Sequence, residues 1–157
     1  VAIASNNLAY VYQHQGDIKT ALHYHNKSLE THKKNNNLSG VATSFNNLGT
    51  LYDDQGDKGI ALEYYQKSLT ALNKLGDKRS AAAALNNIGY IYDMEGKDSI
   101  ALWYYNENLL IVKELGDIHG MASVYVNIGY VYSKRGDINE AVKYYKDGLR
   151  LQEQVGN

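Results

Sequence analysis

Apolar and polar positions recur along this chain with a period of forty residues. Two series of small residues show the period most clearly, and they are Gly16, Gly56, Gly96 and Gly136 together with Ala21, Ala61, Ala101 and Ala141. A constant period of this length is typical of repeat proteins, in which one unit cannot bury its own apolar face and must pack on its neighbours. We therefore expect a single array of four similar units, with approximate boundaries 1–36, 37–76, 77–116 and 117–157.

Each repeat contains two turn signals, which divide it into two helices. In the second repeat they are Gly56-Asp57 and Gly76-Asp77. Glycine ends a helix because it adopts the left-handed conformation without a Cβ clash, and the Asp that follows caps the next helix by accepting from its free N–H groups. Lys97 interrupts this pattern, so Asp98 is the expected cap there. Because no proline breaks the segments, we expect eight helices, the first of them truncated.

One face of each helix is predicted to be buried. At 100° per residue, the apolar side chains of segment 78–94 fall on one arc, and they are Leu85, Ile88, Gly89, Ile91 and Tyr92. The glycine would let a neighbouring helix approach closely, and the tyrosine would fill the adjacent space. A second packing set lies in the second helix of the repeat, with Ala61, Tyr65 and Leu69 in repeat two and Ala141, Tyr145 and Leu149 in repeat four.

Composition narrows the classes of function. Lys and Arg number 16 against 17 Asp and Glu, so no net field favours nucleic acid or an anionic membrane. Cysteine is absent, which excludes disulfides and thiolate chemistry. No run approaches 18 apolar residues and no signal peptide opens the chain, so we expect a cytoplasmic segment without membrane contact.

Both ends of the sequence fall inside the repeat pattern. Val1 lies within the first helix of a repeat, and Gly156-Asn157 aligns with the turn at Gly116-Asp117. We therefore predict a segment of a longer protein. Self-association through exposed end repeats is an alternative use of those faces.

The repeats resemble the tetratricopeptide repeat (TPR). In the second copy the matching positions are Phe45, Leu48, Gly49, Tyr52, Gly56, Asp57, Ala61 and Tyr65. The resemblance implies an all-α, right-handed helical-hairpin solenoid from a family that chiefly binds partner proteins. The usual period of that family is about 34 residues, so a period of forty implies longer helices. This form, with its Asn-Asn-Leu-Gly sequence, looks like the repeats of kinesin light chains, spindle-orientation adaptors and bacterial peptide-sensing or sensor-kinase-attached regulators.

A polar strip on the first helix of each repeat is predicted to line a concave groove. Its main column is Asn7, Asn47, Asn87 and Asn127, and the column before it is Asn6, Asn46 and Asn86, with Val126 breaking the series. A primary amide both donates and accepts, so spaced Asn side chains can bind the backbone of an extended peptide. The resemblance to peptide-binding members supports this use. The alternative is structural, with each amide bonding inside its helix or bridging to the next repeat.

Two further groups are expected on the same strip. Tyr10, Tyr90 and Tyr130 form an exposed column, with Thr50 in the second copy. Tyrosine suits the binding of short segments, although it can equally pack over neighbouring side chains. Below that column lie Asp53, Asp54 and Asp93, with Lys134 at the same level in the last copy. These carboxylates would favour a ligand with a Lys or Arg near its centre, or they form a solvated acidic face.

The sequence contains no recognisable catalytic or metal-binding pattern. His23, His25 and His32 lack the i, i+3 or i, i+4 spacing of helical ligand pairs, and His25 is expected to pack where other copies have Tyr. Asp53 and Asp54 are adjacent on a helix and point apart, so they do not form an acid–base pair. We expect no enzyme and no cofactor.

The leading hypothesis is a protein–protein interaction module that binds a peptide through the Asn columns. The alternative is an in-cis regulatory segment of a larger bacterial signalling protein, such as a histidine kinase or a transcription regulator. RNA binding is disfavoured because the chain lacks a basic face. Binding of chaperone carboxylate tails is also disfavoured, because the clamp positions of such family members correspond here to Asn6, Tyr10, Ala83 and Asn87.

Overall fold

The computed structural model describes residues 1–156 and is all-helical over that range. Its eight helices are α1 (Ala2–His14), α2 (Ile18–Lys34), α3 (Leu38–Asp54), α4 (Lys58–Leu75), α5 (Lys78–Met94), α6 (Asp98–Glu114), α7 (Ile118–Lys134) and α8 (Ile138–Gly156). This number agrees with the prediction from the turn signals. The turn predicted at Gly156-Asn157 includes Asn157, which lies outside the described residues.

The helices pair into hairpins, and the hairpins form two compact units. The pairs are α1 with α2, α3 with α4, α5 with α6, and α7 with α8. The first unit is Val1–Asp77, in which α2 also packs on α3, and the second begins at Lys78, with α6 packed on α7. The division falls after Asp77, one residue beyond the boundary that we expected between the second and third repeats. None of the helices in these units combines the length and the apolarity needed to cross a membrane.

The turns between helices have the conformation that the glycines predicted. Six glycines have φ between 63° and 82°, and they are Gly16, Gly56, Gly76, Gly96, Gly116 and Gly136. Asn36 takes this role after α2, with φ 50°. Asp17 and Asp117 accept from the N–H groups of Thr20 and Gly120, at 3.1 and 2.9 Å, so the predicted Asp caps are present at α2 and α7. The cap predicted at Asp57 is wrong, because its side chain makes no capping hydrogen bond at the start of α4.

The predicted cap at Asp98 is wrong. The residue that precedes α6 is Lys97, which makes no side-chain cap, and Asp98 is the first residue of the helix itself. The Asp98 carboxylate instead lies 2.8 Å from the ammonium of Lys134 on α7. The acidic group at this helix start therefore joins two hairpins rather than closing a turn.

Close packing of a glycine on an aromatic ring joins the two helices of a hairpin. A Cβ added to Gly49 would lie 2.7 Å from the ring of Tyr65, and one added to Gly89 would lie 2.8 Å from the ring of Tyr105. Neither position could hold a larger residue without displacing that ring. In the first repeat the corresponding residues are Ala9 and a buried His25. A smaller ring therefore faces a residue that has a methyl group in place of the glycine hydrogen.

A second aromatic contact recurs in all four hairpins. A tyrosine of the first helix stacks on a tyrosine of the second, with ring centroids 5.5 to 5.7 Å apart, in the pairs Tyr12–Tyr24, Tyr52–Tyr64, Tyr92–Tyr104 and Tyr132–Tyr144. Stacked rings at this separation contribute to stability beyond the area that they bury. The packing role predicted for Tyr92 is therefore confirmed, and the equivalent tyrosines of the other repeats share it.

The predicted buried arc of α5 is confirmed, whereas the packing set of α8 is partly wrong. Leu85, Ile88 and Ile91 are buried. Tyr145 and Leu149, however, are 37% and 54% exposed, although Tyr65 at the equivalent position of the second repeat is buried. The reason is that no further helix in the described range packs on this side of α8. Tyr105, the equivalent residue of the third repeat, is buried on α6, where α7 packs on that helix.

Candidate functional site

The second unit contains a cavity with a mixed polar and apolar lining that brings predicted groove residues together. The cavity has a volume of about 350 Å³ and lies among α5, α6 and α7. Asn86 and Asn87 of α5 and Asn127 of α7 line it, as do Arg79 and Ser123. The α5 and α7 helices are the first helices of adjacent hairpins, so residues forty positions apart come to face one space. Three members of the two Asn columns therefore share one site.

One pair of these amides is bonded across the two hairpins. The Asn127 amide nitrogen donates to the Asn86 side-chain oxygen at 2.8 Å. This is the bridge to the next repeat that we considered as the structural alternative. A primary amide has two donor hydrogens and an acceptor oxygen, so the bond leaves the Asn86 amide N–H groups and the Asn127 oxygen with hydrogen-bonding capacity. Bridging and ligand binding are compatible at this pair.

In the first unit, a histidine of α2 lies next to one of the column asparagines. The Asn6 side-chain oxygen lies 3.4 Å from Nδ1 of His25, while Asn7 is exposed and Asn46 and Asn47 are half-buried. Burial lowers the pKa of His25, because an imidazolium would be poorly solvated there. His25 is therefore a neutral packed residue at pH 7, as its position in the repeat predicted.

The predicted tyrosine column is exposed in both units. Tyr10, Tyr90 and Tyr130 have exposed fractions of 61%, 44% and 54%. Thr50, which takes this place in the second repeat, lies 3.2 Å from the hydroxyl of Tyr65. Burial raises the pKa of Tyr65 to about 12. The three exposed rings can contact a ligand, whereas Thr50 contacts the hydroxyl of the buried Tyr65.

The charged residues predicted below the tyrosine column, Asp53, Asp54, Asp93 and Lys134, largely have partners within the protein. Asp53 forms an ion pair with Lys58, and Asp54 accepts from the Gln13 amide at 2.6 Å. In the second unit, a buried Asp93 pairs with Lys134 at 2.5 Å. These partners leave less free charge for a ligand than the sequence suggested.

Lys134 is the centre of that network in the second unit. Its ammonium contacts the carboxylates of Asp93 and Asp98 and donates to the Asp93 carbonyl at 2.8 Å. The hydrogen bonds to these two carboxylates raise the pKa of Lys134. This lysine, which the sequence placed in the groove, is thus engaged in joining α7 to α5 and α6.

Sequence reasoning missed Asn108, which lines the cavity from α6. Equivalent positions in the other repeats hold Ser28, Ser68 and Gly148. Ser68 donates to the Ala42 carbonyl at 2.9 Å, whereas Asn108 is buried and its side-chain oxygen has no hydrogen-bond partner within residues 1–156. A buried polar atom without a partner is unfavourable. The signal available in the sequence was the departure from small residues in this column.

No group of three His, Cys, Asp or Glu side chains in the described part of the chain could hold a metal ion. The histidines that lie close in sequence are distributed around α2, where His25 is buried and His23 is exposed. His32 instead contacts the side chain of Asn37, with 3.2 Å between Nδ1 and the amide nitrogen. The titratable groups of this region therefore serve packing and turn contacts.

A family profile matches the sequence that forms the paired helices, the left-handed glycine turns and the recurring glycine–tyrosine contacts. The tetratricopeptide repeat profile matches residues 1–74 and 80–154. The chain belongs to the tetratricopeptide repeat family. Members of this family present helical hairpins as surfaces for protein partners. No curated protein matches this sequence.

Solved structures with the same fold include BtubC (BKLC) from P. vanneervenii and aspartyl phosphate phosphatase F from Bacillus subtilis. The first has a TM-score of 0.87 and 22% identity, with 99% of this chain and 65% of that chain covered. The second has a TM-score of 0.91 and 16% identity, with coverage of 99% and 41%. The apo form of RapI has a TM-score of 0.88 and 19% identity, with coverage of 98% and 43%. This TPR chain spans less than two thirds of each of these proteins, and identities this low show the fold alone.

Proposed function

We propose that this TPR chain binds an extended peptide segment of a partner protein through the asparagines on the first helices of its hairpins. The observation that carries the proposal is the cavity of about 350 Å³ in the second unit, which Asn86, Asn87 and Asn127 line together. Family membership supports a protein partner. The use of these amides to bind a peptide is our inference from their chemistry.

The amides supply what a peptide backbone needs. After the bond between Asn127 and Asn86, the Asn127 oxygen can accept from a peptide N–H, and the Asn86 amide can donate to a peptide carbonyl. Main-chain hydrogen bonds of this kind provide affinity for an extended segment whatever its side chains. In the first unit, Asn7, Asn46 and Asn47 occupy the equivalent positions.

Side-chain preference would come from the neighbours of these amides. Tyr90 and Tyr130 expose aromatic surface in the second unit, and Tyr10 does so in the first. Arg79 and Asp117 both line the cavity. Asp117 already accepts from the Gly120 N–H, whereas Arg79 has no ion pair within the described residues and can pair with an acidic side chain of the peptide. Lys134 is held by two carboxylates and contributes little to this preference, and Asp54 is bonded to Gln13.

The test selects ligands and then removes the amides. Peptides of about twelve residues are selected by phage display on the purified chain, and the affinities of enriched sequences are measured by isothermal titration calorimetry. We expect Asn87→Ala and Asn127→Ala each to lower affinity about tenfold, the effect of losing one well-placed hydrogen bond. The control is Asn106→Ala, because this exposed amide of α6 bonds to the carbonyl of Leu102 and does not line the cavity.

A second arm tests whether the peptide backbone is recognised. N-methylation of single peptide bonds removes one donor at a time, and we expect a large loss at only a few positions. Equal affinity for the parent chain and both asparagine variants, or no sensitivity to N-methylation, would refute the proposal. Circular dichroism and thermal melting establish that the variants fold as the parent does.

A second candidate is a regulatory segment that acts on a domain of its own polypeptide. It is supported by the coverage of the phosphatase structure, in which the shared fold corresponds to 41% of a longer chain. If this candidate is correct, the asparagine variants change the activity of an attached domain in the full-length gene product. Under that outcome the selected peptides bind the parent chain and the variants alike.

A further inference from the structure

A second cavity lies in the first unit, away from the Asn columns. It has a volume of about 440 Å³ and lies between α3 and α4 of one hairpin. Leu38, Val41 and Phe45 of α3 form an apolar wall, and Ala71 and Lys74 are among the residues of α4 that complete the lining. Concave apolar spaces with a few polar groups at the edge are the usual form of a small-ligand site.

Comparison of the repeats shows why this hairpin is open. Ala71 corresponds to Ile111 in the third repeat and to Leu151 in the fourth. Ile111 packs against the buried cluster of the second unit, so a larger side chain occupies the equivalent position there. Ala71 is itself buried. The small side chain therefore leaves space that protein interiors normally fill.

The edge of this cavity carries one cation without an acidic partner. Three charged residues line it, Glu63, Lys67 and Lys74. Lys67 lies 3.7 Å from Glu63 and over the ring of Tyr64. Lys74 has no ion pair within residues 1–156. At the equivalent position the third repeat has Glu114, which pairs with Lys78 instead.

We propose that this cavity binds a small amphipathic anion, with an apolar body against Leu38, Val41, Phe45 and Ala71 and a carboxylate at Lys74. The apolar wall excludes a fully polar ligand, and the unpaired ammonium disfavours a cationic one. The same chemistry can come from a free aliphatic acid or from an apolar side chain next to an acidic one in a partner protein. The site is independent of the proposed peptide site, because none of its lining residues belongs to the Asn columns or to the cavity of the second unit.

Methyl-resolved NMR of the whole chain tests the proposal with defined probes. The probes are octanoate, its neutral counterpart octan-1-ol, and the peptide acetyl-Phe-Glu-amide. We expect shifts concentrated at the methyl groups of Leu38, Val41 and Ala71, with a dissociation constant of about 1 mM for the better anion. Binding of octanoate identifies a free acid as the source, and binding of the peptide alone identifies a protein segment.

Two variants separate the apolar contact from the charge. Ala71→Ile inserts the side chain of the third repeat and is expected to abolish binding of every probe. Lys74→Gln is expected to weaken octanoate binding about two- to fivefold, the effect of one exposed charge pair, while octan-1-ol binding is unchanged. The matched controls are Thr31→Ile and Lys34→Gln, which introduce the same residues at the equivalent positions of the first repeat.

Three outcomes of these measurements would overturn the proposal. Absence of localised shifts with all three probes, or retained binding in Ala71→Ile, shows that the cavity is not this site. Equal loss of octanoate and octan-1-ol in Lys74→Gln shows that the site does not recognise an anion. Ala71→Ile is expected to melt at or above the temperature of the parent chain because it fills a void, so lost binding cannot reflect unfolding.

Discussion

The two units join their hairpins at the same place with different chemistry. In the first unit, Gln13 of α1 donates to the exposed carboxylate of Asp54 on α3. In the second, Lys134 of α7 contacts the buried Asp93 at the end of α5 and Asp98 at the start of α6. The Gln13–Asp54 and Lys134–Asp93 contacts each join residues forty-one positions apart, so one backbone arrangement accommodates a neutral amide in one unit and a charged network in the other.

The units also differ in the glycine–ring contact inside a hairpin. The second, third and fourth repeats place a tyrosine ring against a glycine backbone. The first repeat has Ala9 and a buried His25 instead. The extra methyl group and the smaller ring change the filled volume in opposite directions, so we expect them to offset one another.

Among the variants that test these differences, Gly89→Ala is expected to change stability the most. The new Cβ would lie 2.8 Å from the buried ring of Tyr105, so the helices must separate or the ring must move. We expect a loss of about 3 kcal/mol in the free energy of unfolding, at the upper end for overpacking. Urea unfolding followed by circular dichroism measures it.

The pair Gly89→Ala with Tyr105→His copies the first repeat into the third and provides the control. We expect this double variant to recover part of the stability that Gly89→Ala loses, since the smaller ring makes room for the methyl group. A double variant no more stable than Gly89→Ala alone would mean that the two first-repeat residues do not compensate each other.

Asp93→Ala is expected to cost less, about 2 kcal/mol in the free energy of unfolding. It removes a buried carboxylate that accepts from Lys134, but Asp98 still neutralises the lysine. The pKa of Lys134 is raised in the folded chain, so this contact stabilises fully below the unfolded pKa and is lost as pH rises through the folded value. Chemical unfolding at pH 7 and above pH 10.5 measures both effects.

Lys134→Met separates the charge from the packing of this network. It would leave Asp93 buried without its cation, and we expect it to destabilise at least as much as Asp93→Ala. If both variants are as stable as the parent chain at pH 7, the ionic junction does not stabilise the second unit.

A smaller effect is expected when the chain is acidified. The pKa of His25 is lowered by burial, so its neutral form stabilises the first unit above the unfolded pKa of 6.5, and this contribution is lost as pH falls through the folded value. The protection factors of the amide hydrogens, which correct exchange rates for the intrinsic pH dependence of amide exchange, should therefore fall in α1 and α2 below pH 6.5. The variant with Ala9→Gly and His25→Tyr, which installs the residues of the other repeats, should lack this fall.

The smallest effect is expected from Gln13→Ala. Its partner Asp54 is exposed, so water can replace the lost hydrogen bond, and we expect less than about 0.5 kcal/mol in the free energy of unfolding. Thermal melting beside Asp93→Ala compares the two junctions directly. Equal losses from the two variants would mean that the neutral and charged junctions are equivalent.

The sequence was sufficient to predict the helices and much of their packing. Gly56-Asp57 and its equivalents mark turns because only a residue without Cβ adopts the left-handed conformation easily, and this preference is local. The buried arc of α5 follows from the helical period alone. The close contact of Gly89 with an aromatic ring was anticipated in part, because the small residue recurs at the same step as the tyrosines.

The tertiary structure determines which side chains contact each other between hairpins. The sequence placed Lys134 in a groove and Asp98 in a cap, but the crossing of α5, α6 and α7 brings the two together. It also places Asn127 against Asn86 and sets the buried Asn108 beside the same cavity. Contacts between hairpins depend on how far each helix is rotated and shifted against the next. The packing of all the side chains sets that geometry together, so no local pattern in the sequence specifies it.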